Sequence, residues 1–181
     1  MIQPPPVRID LGDGSELRLL TPGDAEAIAA AVGTNLEHLR PWMPWADERS
    51  ADPAFQRARI RGLADLGARG VEWQYGLFAG GRLLGSFGLM TRRGPGTLEI
   101  GYWLCSDAIG AGYATRAAGA LAATGDGLVG VDEIWIVCDE ANERSAAVAR
   151  RCGFDLRESY EDAPQASGEV GRKLVFVRVC P

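Results

Sequence analysis

Residues 97–124 read TLEIGYWL, CSDAIGAG and YATRAAGALAAT in succession, and this run decides the architecture. The first eight residues are apolar, β-branched and aromatic for the most part, which predicts a strand. Ile109-Gly110-Ala111-Gly112-Tyr113-Ala114-Thr115 then leaves the strand and opens a helix. Ala114, Ala117, Ala118 and Leu121 recur at helical spacing, so the helix is expected from about Tyr113 to Thr124, ended by Gly125 and Gly127. Small residues let the backbone approach a ligand, and the first N–H groups of a helix have no internal partners. With the helix dipole they suit an anion such as a pyrophosphate, and Thr115 adds a hydroxyl donor.

Downstream, VDEIWIVC (131–138) is a near-continuous apolar strand, as expected when both faces are covered. A helix is predicted from Asn142 to Cys152, stopped by Gly153. FDLRESY (154–160) and KLVFVRV (173–179) form a final strand pair around a polar loop from Glu161 to Gly171. Upstream, VRIDLGDGSELRLL (7–20) alternates on either side of Asp13-Gly14, a hairpin with a tight turn. Thr21-Pro22-Gly23-Asp24 starts a helix that carries Ala25, Ile28, Ala29 and Val32 and is closed by Gly33. Two prolines forbid a regular helix in 35–45, and Asp52-Pro53 opens another that runs to about Gly67 or Gly70. EWQYGLF (72–78) and RLLGSFGLM (82–90) make a second hairpin at Gly80-Gly81. With no internal repeat and no linker, residues 1–181 read as one α/β (α+β) domain. Its sheet is mixed and twisted, with about seven strands flanked by helices.

Composition narrows the function. Hydrophobic residues make up 46% and charged residues 24%, which is globular rather than disordered. The start MIQPPPVRID lacks the apolar run of a signal peptide, and no stretch approaches a membrane span, so a cytoplasmic protein with no membrane partner is expected. A net charge of −5 argues against a nucleic-acid partner and is compatible with a cationic amine acceptor. Cys105, Cys138, Cys152 and Cys180 are scattered and His38 stands alone, so no metal site is expected and the cysteines are read as buried small apolar residues. Monomer and homodimer both fit.

The glycine loop can be tested against known phosphate motifs. A Walker A loop requires a lysine after its last glycine, and the only lysine in the chain is Lys173. The dinucleotide fingerprint matches at Gly110 and Gly112 but has Thr115 in place of its third glycine. Asp139 or Glu140 then stands, somewhat late, as a ribose acid, so an NAD-binding oxidoreductase is one reading.

The loop more closely resembles the coenzyme A pyrophosphate site of the GCN5-related N-acetyltransferases (GNAT), whose pattern is [QR]xxGx[GA]. Here Ile109-Gly110-Ala111-Gly112-Tyr113-Ala114 keeps the glycine and the final small residue, while isoleucine replaces the leading Gln/Arg. Asn142-Glu143-Arg144-Ser145, followed by Val148 and Cys152-Gly153-Phe154, resembles the N-x-x-S/A…GF segment of the same family. NLEHLRPWMPW (35–45) and EIGYWL (99–104) are similar to its RimJ/RimL-like ribosomal-protein N-acetyltransferase branch. The resemblance implies the acyltransferase fold, with acetyl-CoA as cosubstrate and a primary amine as acceptor, on a protein N-terminus or a small molecule. It implies that Leu104, Ile109, Gly110, Ala111, Gly112, Tyr113, Ala114, Thr115 and Asn142 bind the cofactor, and that backbone amides at the end of the 97–104 strand polarise the thioester.

Acyl transfer to an amine requires a neutral amine, a stabilised thioester oxygen and a proton for the leaving thiolate. Glu99 shares a strand face with Gly101 and Trp103, and a carboxylate beside an indole is a candidate base. The family's usual acid, a tyrosine seven residues after the asparagine, is replaced by Ala149. Ser145 matches the serine that stands in the RimL-like branch, so it is the candidate acid. Trp42, Met43 and Trp45 are candidate walls for the acceptor, and His38 reads as a packed residue. Two further readings belong to the same fold: a succinyl-CoA donor, which requires a cationic pocket near Arg40, Arg92 or Arg93, and a non-catalytic acyl-CoA sensor.

Overall fold

The computed structural model describes residues 2–181 and carries one eight-stranded sheet in the order β1-β2-β3-β4-β5-β6-β8-β7. The strands are β1 (Arg8–Asp10), β2 (Ser15–Leu19), β3 (Glu72–Ala79), β4 (Arg82–Met90), β5 (Thr97–Leu104), β6 (Glu133–Asp139), β7 (Asp155–Glu161) and β8 (Arg172–Val179). The α-helices are α1 (Ala25–Thr34), α2 (Leu36–Leu39), α3 (Pro53–Ala68), α4 (Tyr113–Asp126) and α5 (Glu143–Arg151). All neighbours are antiparallel except β5 and β6. That parallel pair needs a crossover, which α4 supplies. The strand count is eight where about seven were expected.

Several local readings change. The first hairpin turns through a wider loop, with Gly12 and Gly14 both at positive φ, because the β1–β2 pairing, Arg8–Arg18 to Asp10–Glu16, stops short of Asp13-Gly14. Gly33 lies inside α1, and Leu36–Leu39 form a helical turn ahead of Pro41, which stops it. Gly125 also lies inside its helix. It is there for close approach: an added Cβ would sit 2.6 Å from Ile134 Cδ1, so α4 presses directly on β6. Cys105, Cys138 and Cys152 are buried as expected, whereas Cys180 is only partly covered.

Two features of the sheet position the site. Residues directly opposite one another share a face, which gives rows Glu72–Met90–Glu99, Gln74–Gly88–Gly101 and Gly76–Ser86–Trp103. Trp45, in the α2–α3 connection, meets Trp103 on this face at 6.1 Å between ring centroids. The opposite face carries Tyr75, Phe87 and Tyr102, and helices α4 and α5 pack there, burying Ala117, Leu121, Ala146 and Ala149.

The second feature is a split. β5 pairs with β6 only over Thr97–Glu99 and Glu133–Trp135. Beyond that point β5 follows β4 to Leu104, and β6 follows β8 to Asp139. The sheet therefore opens into a V. The Cys105 N–H donates to Leu84 O, and ladder bonds alternate along an antiparallel strand. The backbone N–H and C=O groups of Ile100, Tyr102 and Leu104 accordingly point away from β4, into the opening.

Candidate active site

The opening continues into a cleft of about 1240 Å³ lined from both halves of the sheet. Of the residues expected to bind acetyl-CoA, to wall the acceptor or to act in the transfer, all but Ala111 border it, including Trp42, Met43, Trp45, Glu99, Leu104, Asn142 and Ser145, whereas Arg40 and Glu140 do not. His38 lines it as well; burial and the nearby Arg144 push its pKa down, partly opposed by the Leu104 backbone.

At one end lies the loop 109–115. Gly110 and Gly112 adopt φ of +85° and +78°, where glycine is favoured. Gly112 caps α4 without any side-chain cap, so no side chain claims the amides of the first turn. A Cβ on Gly112 would lie 2.8 Å from Arg116 Nη1. That guanidinium braces the loop: Nη1 donates to Ala111 O at 3.0 Å, Nη2 pairs with Asp13 at 2.8 Å, and the group stacks on Tyr113. The cradle is open backbone, as an anion requires. Sequence reasoning missed Arg151, whose Nε donates to Thr115 Oγ1 at 3.1 Å and so brings a cation from α5 to the loop. Arg144 also faces the cleft, two helical turns before Arg151; the i, i+7 spacing was the available signal.

Midway along the cleft, Asn142 caps α5, its Oδ1 accepting from Ser145 N–H at 3.1 Å. Capping uses only the oxygen; the Nδ2 group has no protein acceptor among the described residues and borders the cleft. Ser145 Oγ lies 2.9 Å from Tyr102 Oη, which spans the V from β5. Tyr102 stacks on Phe87 at 5.3 Å, and burial raises its pKa well above that of a free phenol. Burial likewise pushes the adjacent Cys138 thiol up to about 11, with Ser145 opposing. Tyr102 was not among the expected site residues. A tyrosine in an apolar stripe with Leu98 and Ile100 needs a partner for its hydroxyl, and that was its signal.

At the far end Glu99 is 2% exposed. The neighbour expected for it was the Trp103 indole, but Trp103 is four residues along the strand, about 13 Å away; the tryptophan directly across from Glu99 is Trp135 of β6. Arg92 Nη2 and Arg93 Nε donate to the two Glu99 carboxylate oxygens. Arg40 pairs with Glu48. The three cations named for a succinyl pocket are thus each engaged by a carboxylate. Gly88 and Gly101 leave floor space between Gln74 and Met90: a Cβ on Gly88 would meet Gln74 Oε1 at 2.8 Å, and one on Gly101 would meet Met90 Cε at 2.9 Å.

The β7–β8 loop crosses over this end. Gly168 N–H donates to Pro41 O at 2.8 Å, linking the two halves of the sheet above the cleft. Asp139 holds the loop, accepting from Ala141, Val170 and Gly171 N–H at 3.0 Å each, with Lys173 at 3.6 Å. Burial opposes the charge of Asp139, but these partners outweigh it and its pKa falls below the usual carboxylate value. Its oxygens are committed to the loop, so Asp139 is not free to act as a ribose acid, and Glu140, the other candidate, is exposed and does not border the cleft.

Known proteins share this architecture. The structure of RimL, described as a ribosomal L7/L12 alpha-N-protein acetyltransferase in complex with coenzyme A, superposes with a TM-score of 0.85 at 23% identity, covering 95% of this chain and 97% of that one. The structure of the microcin C7 self-immunity acetyltransferase MccE with acetyl-CoA and AMP gives 0.86 at 22% identity, covering 96% and 97%. A relative from Bacillus subtilis (strain 168), named "Putative ribosomal N-acetyltransferase YdaF", is 31% identical over 147 residues, 76% of either chain. The profile described as "Acetyltransferase (GNAT) domain" matches residues 16–155, well over half of the sequence. This chain belongs to the GNAT acetyltransferase family.

Proposed function

We propose that this chain moves an acetyl group from acetyl-CoA to a primary amine, a protein N-terminal α-amine in the first instance. The observation that carries the reading is the split sheet, with an open glycine cradle at one end, a serine–tyrosine hydroxyl pair midway and a buried carboxylate at the other. The cradle of Gly110 to Thr115, with Arg151 beside it, holds the pyrophosphate. The free edge of β5 at Tyr102 and Leu104, with Asn142 Nδ2, holds the pantetheine amides. The thioester supplies the activated acyl group.

The remaining chemistry belongs to side chains. Glu99, flanked by its two arginines, attracts the incoming ammonium and takes its proton, directly or through water. The Tyr102–Ser145 hydroxyl pair can be polarised in either direction, and with Tyr102 Oη donating, the serine hydrogen is free for the departing sulfur. Trp42, Met43 and Trp45 wall the acceptor. The relative from Bacillus subtilis and the RimL structure, both named for ribosomal proteins, support a protein N-terminus as acceptor.

Titration calorimetry with acetyl-CoA, succinyl-CoA and NAD, followed by transfer assays on N-terminal peptides, tests this directly. Preferential binding of acetyl-CoA is expected, with Glu99→Gln lowering kcat about a hundredfold. A lack of thioester binding overturns the proposal. Thioester binding with no transfer to any amine leaves a sensor.

A further inference from the structure

At the Glu99 end of the cleft one cation, Arg59, has no carboxylate partner among the described residues. Arg59, on α3, borders the acceptor end together with Gln74, Met90 and Glu99. Its Nε donates to Gln56 Oε1 at 2.9 Å, and Gln56 Nε2 in turn donates to Ser50 O at 2.6 Å. Gln56 is only 2% exposed, so the guanidinium is aimed by a buried, anchored amide. Its two terminal nitrogens have no hydrogen-bond partner and no carboxylate within ion-pair distance among the described residues. Glu72 supports the charge from farther off, while burial pushes the pKa down. Arg92 and Arg93, the neighbouring cations, are already spent on Glu99.

A planar guanidinium with its inner nitrogen fixed and its outer N–H groups unclaimed is shaped for a bidentate carboxylate. Its position matters equally. Arg59 lies at the Glu72–Met90–Glu99 end of the strands, whereas the phosphate cradle follows Leu104, about 17 Å along β5. An anion held by Arg59 therefore belongs to the acceptor and not to the cofactor phosphates.

We propose that Arg59 forms an anion subsite for the acceptor, so that the acetylated amine carries a carboxylate near its amino group. This rests on the transferase reading above. The carboxylate comes from one of two sources: the α-carboxylate of a free amino acid, or an acidic side chain at the start of a polypeptide. Electrostatic fit then divides the cleft, with Glu99 taking the amine and Arg59 the acid.

The test uses matched acceptors with acetyl-CoA: a tetrapeptide amide beginning with aspartate against the same peptide beginning with asparagine, and free alanine against alaninamide. In at least one pair the acid is expected to exceed its neutral partner by about tenfold or more in kcat/KM. Arg59→Met brings that ratio to within about twofold, and Arg59→Lys, which keeps the charge but loses the fork, falls between. The pair that responds identifies the source. Equal rates within both pairs, or a ratio that survives in a folded Arg59→Met protein, overturn the proposal. If acetyl-CoA binds but no amine is acetylated, the transferase reading fails by itself. Calorimetry of the same four compounds on the CoA-loaded protein then decides the subsite, since selective binding of an acid supports it and equal or absent binding overturns it.

Discussion

The two ends of the cleft are built on different principles. The end proposed for the phosphates is made of backbone: a glycine cradle, a helix start with no side-chain cap and the free edge of β5, all within residues 97–126. The acceptor end is made of side chains drawn from α2, α3, the ends of β3 to β5 and the β7–β8 loop. One end is fixed by local conformation, so it is tied to an invariant chemical group. The other is an assembly of long-range contacts, and it can change specificity one residue at a time.

The sharpest way to break this contrast is to separate turnover from cofactor binding. Ser145→Ala should lower kcat about a hundredfold, with the acetyl-CoA Kd changed less than about threefold, as steady-state kinetics and calorimetry would show. A comparable loss in both quantities would make Ser145 part of the cofactor end. Gly112→Val should do the reverse. It forces φ of +78° on a β-branched residue and drives Cβ toward Arg116, so acetyl-CoA affinity should fall about tenfold or more. An unchanged Kd would show that the cradle is not where the phosphates bind.

The smallest effect concerns the loop over the acceptor end. Asp139→Asn should lower Tm by several degrees at neutral pH, because three N–H donors and Lys173 lose their charged partner. Asp139 has a depressed folded pKa, so its contribution is complete above the unfolded value of about 4 and is lost as pH falls through the folded value. The gap in Tm between wild type and variant should therefore close in acid. A gap that is independent of pH would show that charge is not what holds the loop.

The same contrast explains what could be read from the sequence. Glycines at positive φ, the Asn142 cap and the strand–loop–helix order are demands of local backbone, and they leave short, spaced signals. Most of the fold and nearly all of the phosphate end follow from them. Glu99 was legible as a carboxylate on the correct strand face, but its arginine partners were not, because Arg92 and Arg93 reach it only through the turn between β4 and β5. Tyr102 with Ser145 and Arg151 with Thr115 lie 43 and 36 residues apart. Arg59 is aimed by Gln56, whose anchor on Ser50 exists only when the turn at Arg49–Ala51 is packed against α3. Such pairings depend on tertiary geometry, for which a single sequence carries no spacing rule.

The parting of β5 from β6 has a thermodynamic side. Between Ile100 and Leu104 the inner edge of β5 lacks a neighbouring strand, as β6 does beyond Trp135. The amides along these two edges are the least protected in the middle of the sheet, and the opening there is a standing gap in cooperativity between the β1–β5 and β6–β8 halves. A ligand that fills the gap acts as a missing strand, coupling the halves and slowing amide exchange at Tyr102 and Leu104 more than in β3 or β8. Occupancy of the cleft thus becomes part of the protein's stability, and an enzyme short of its cosubstrate is also a looser one.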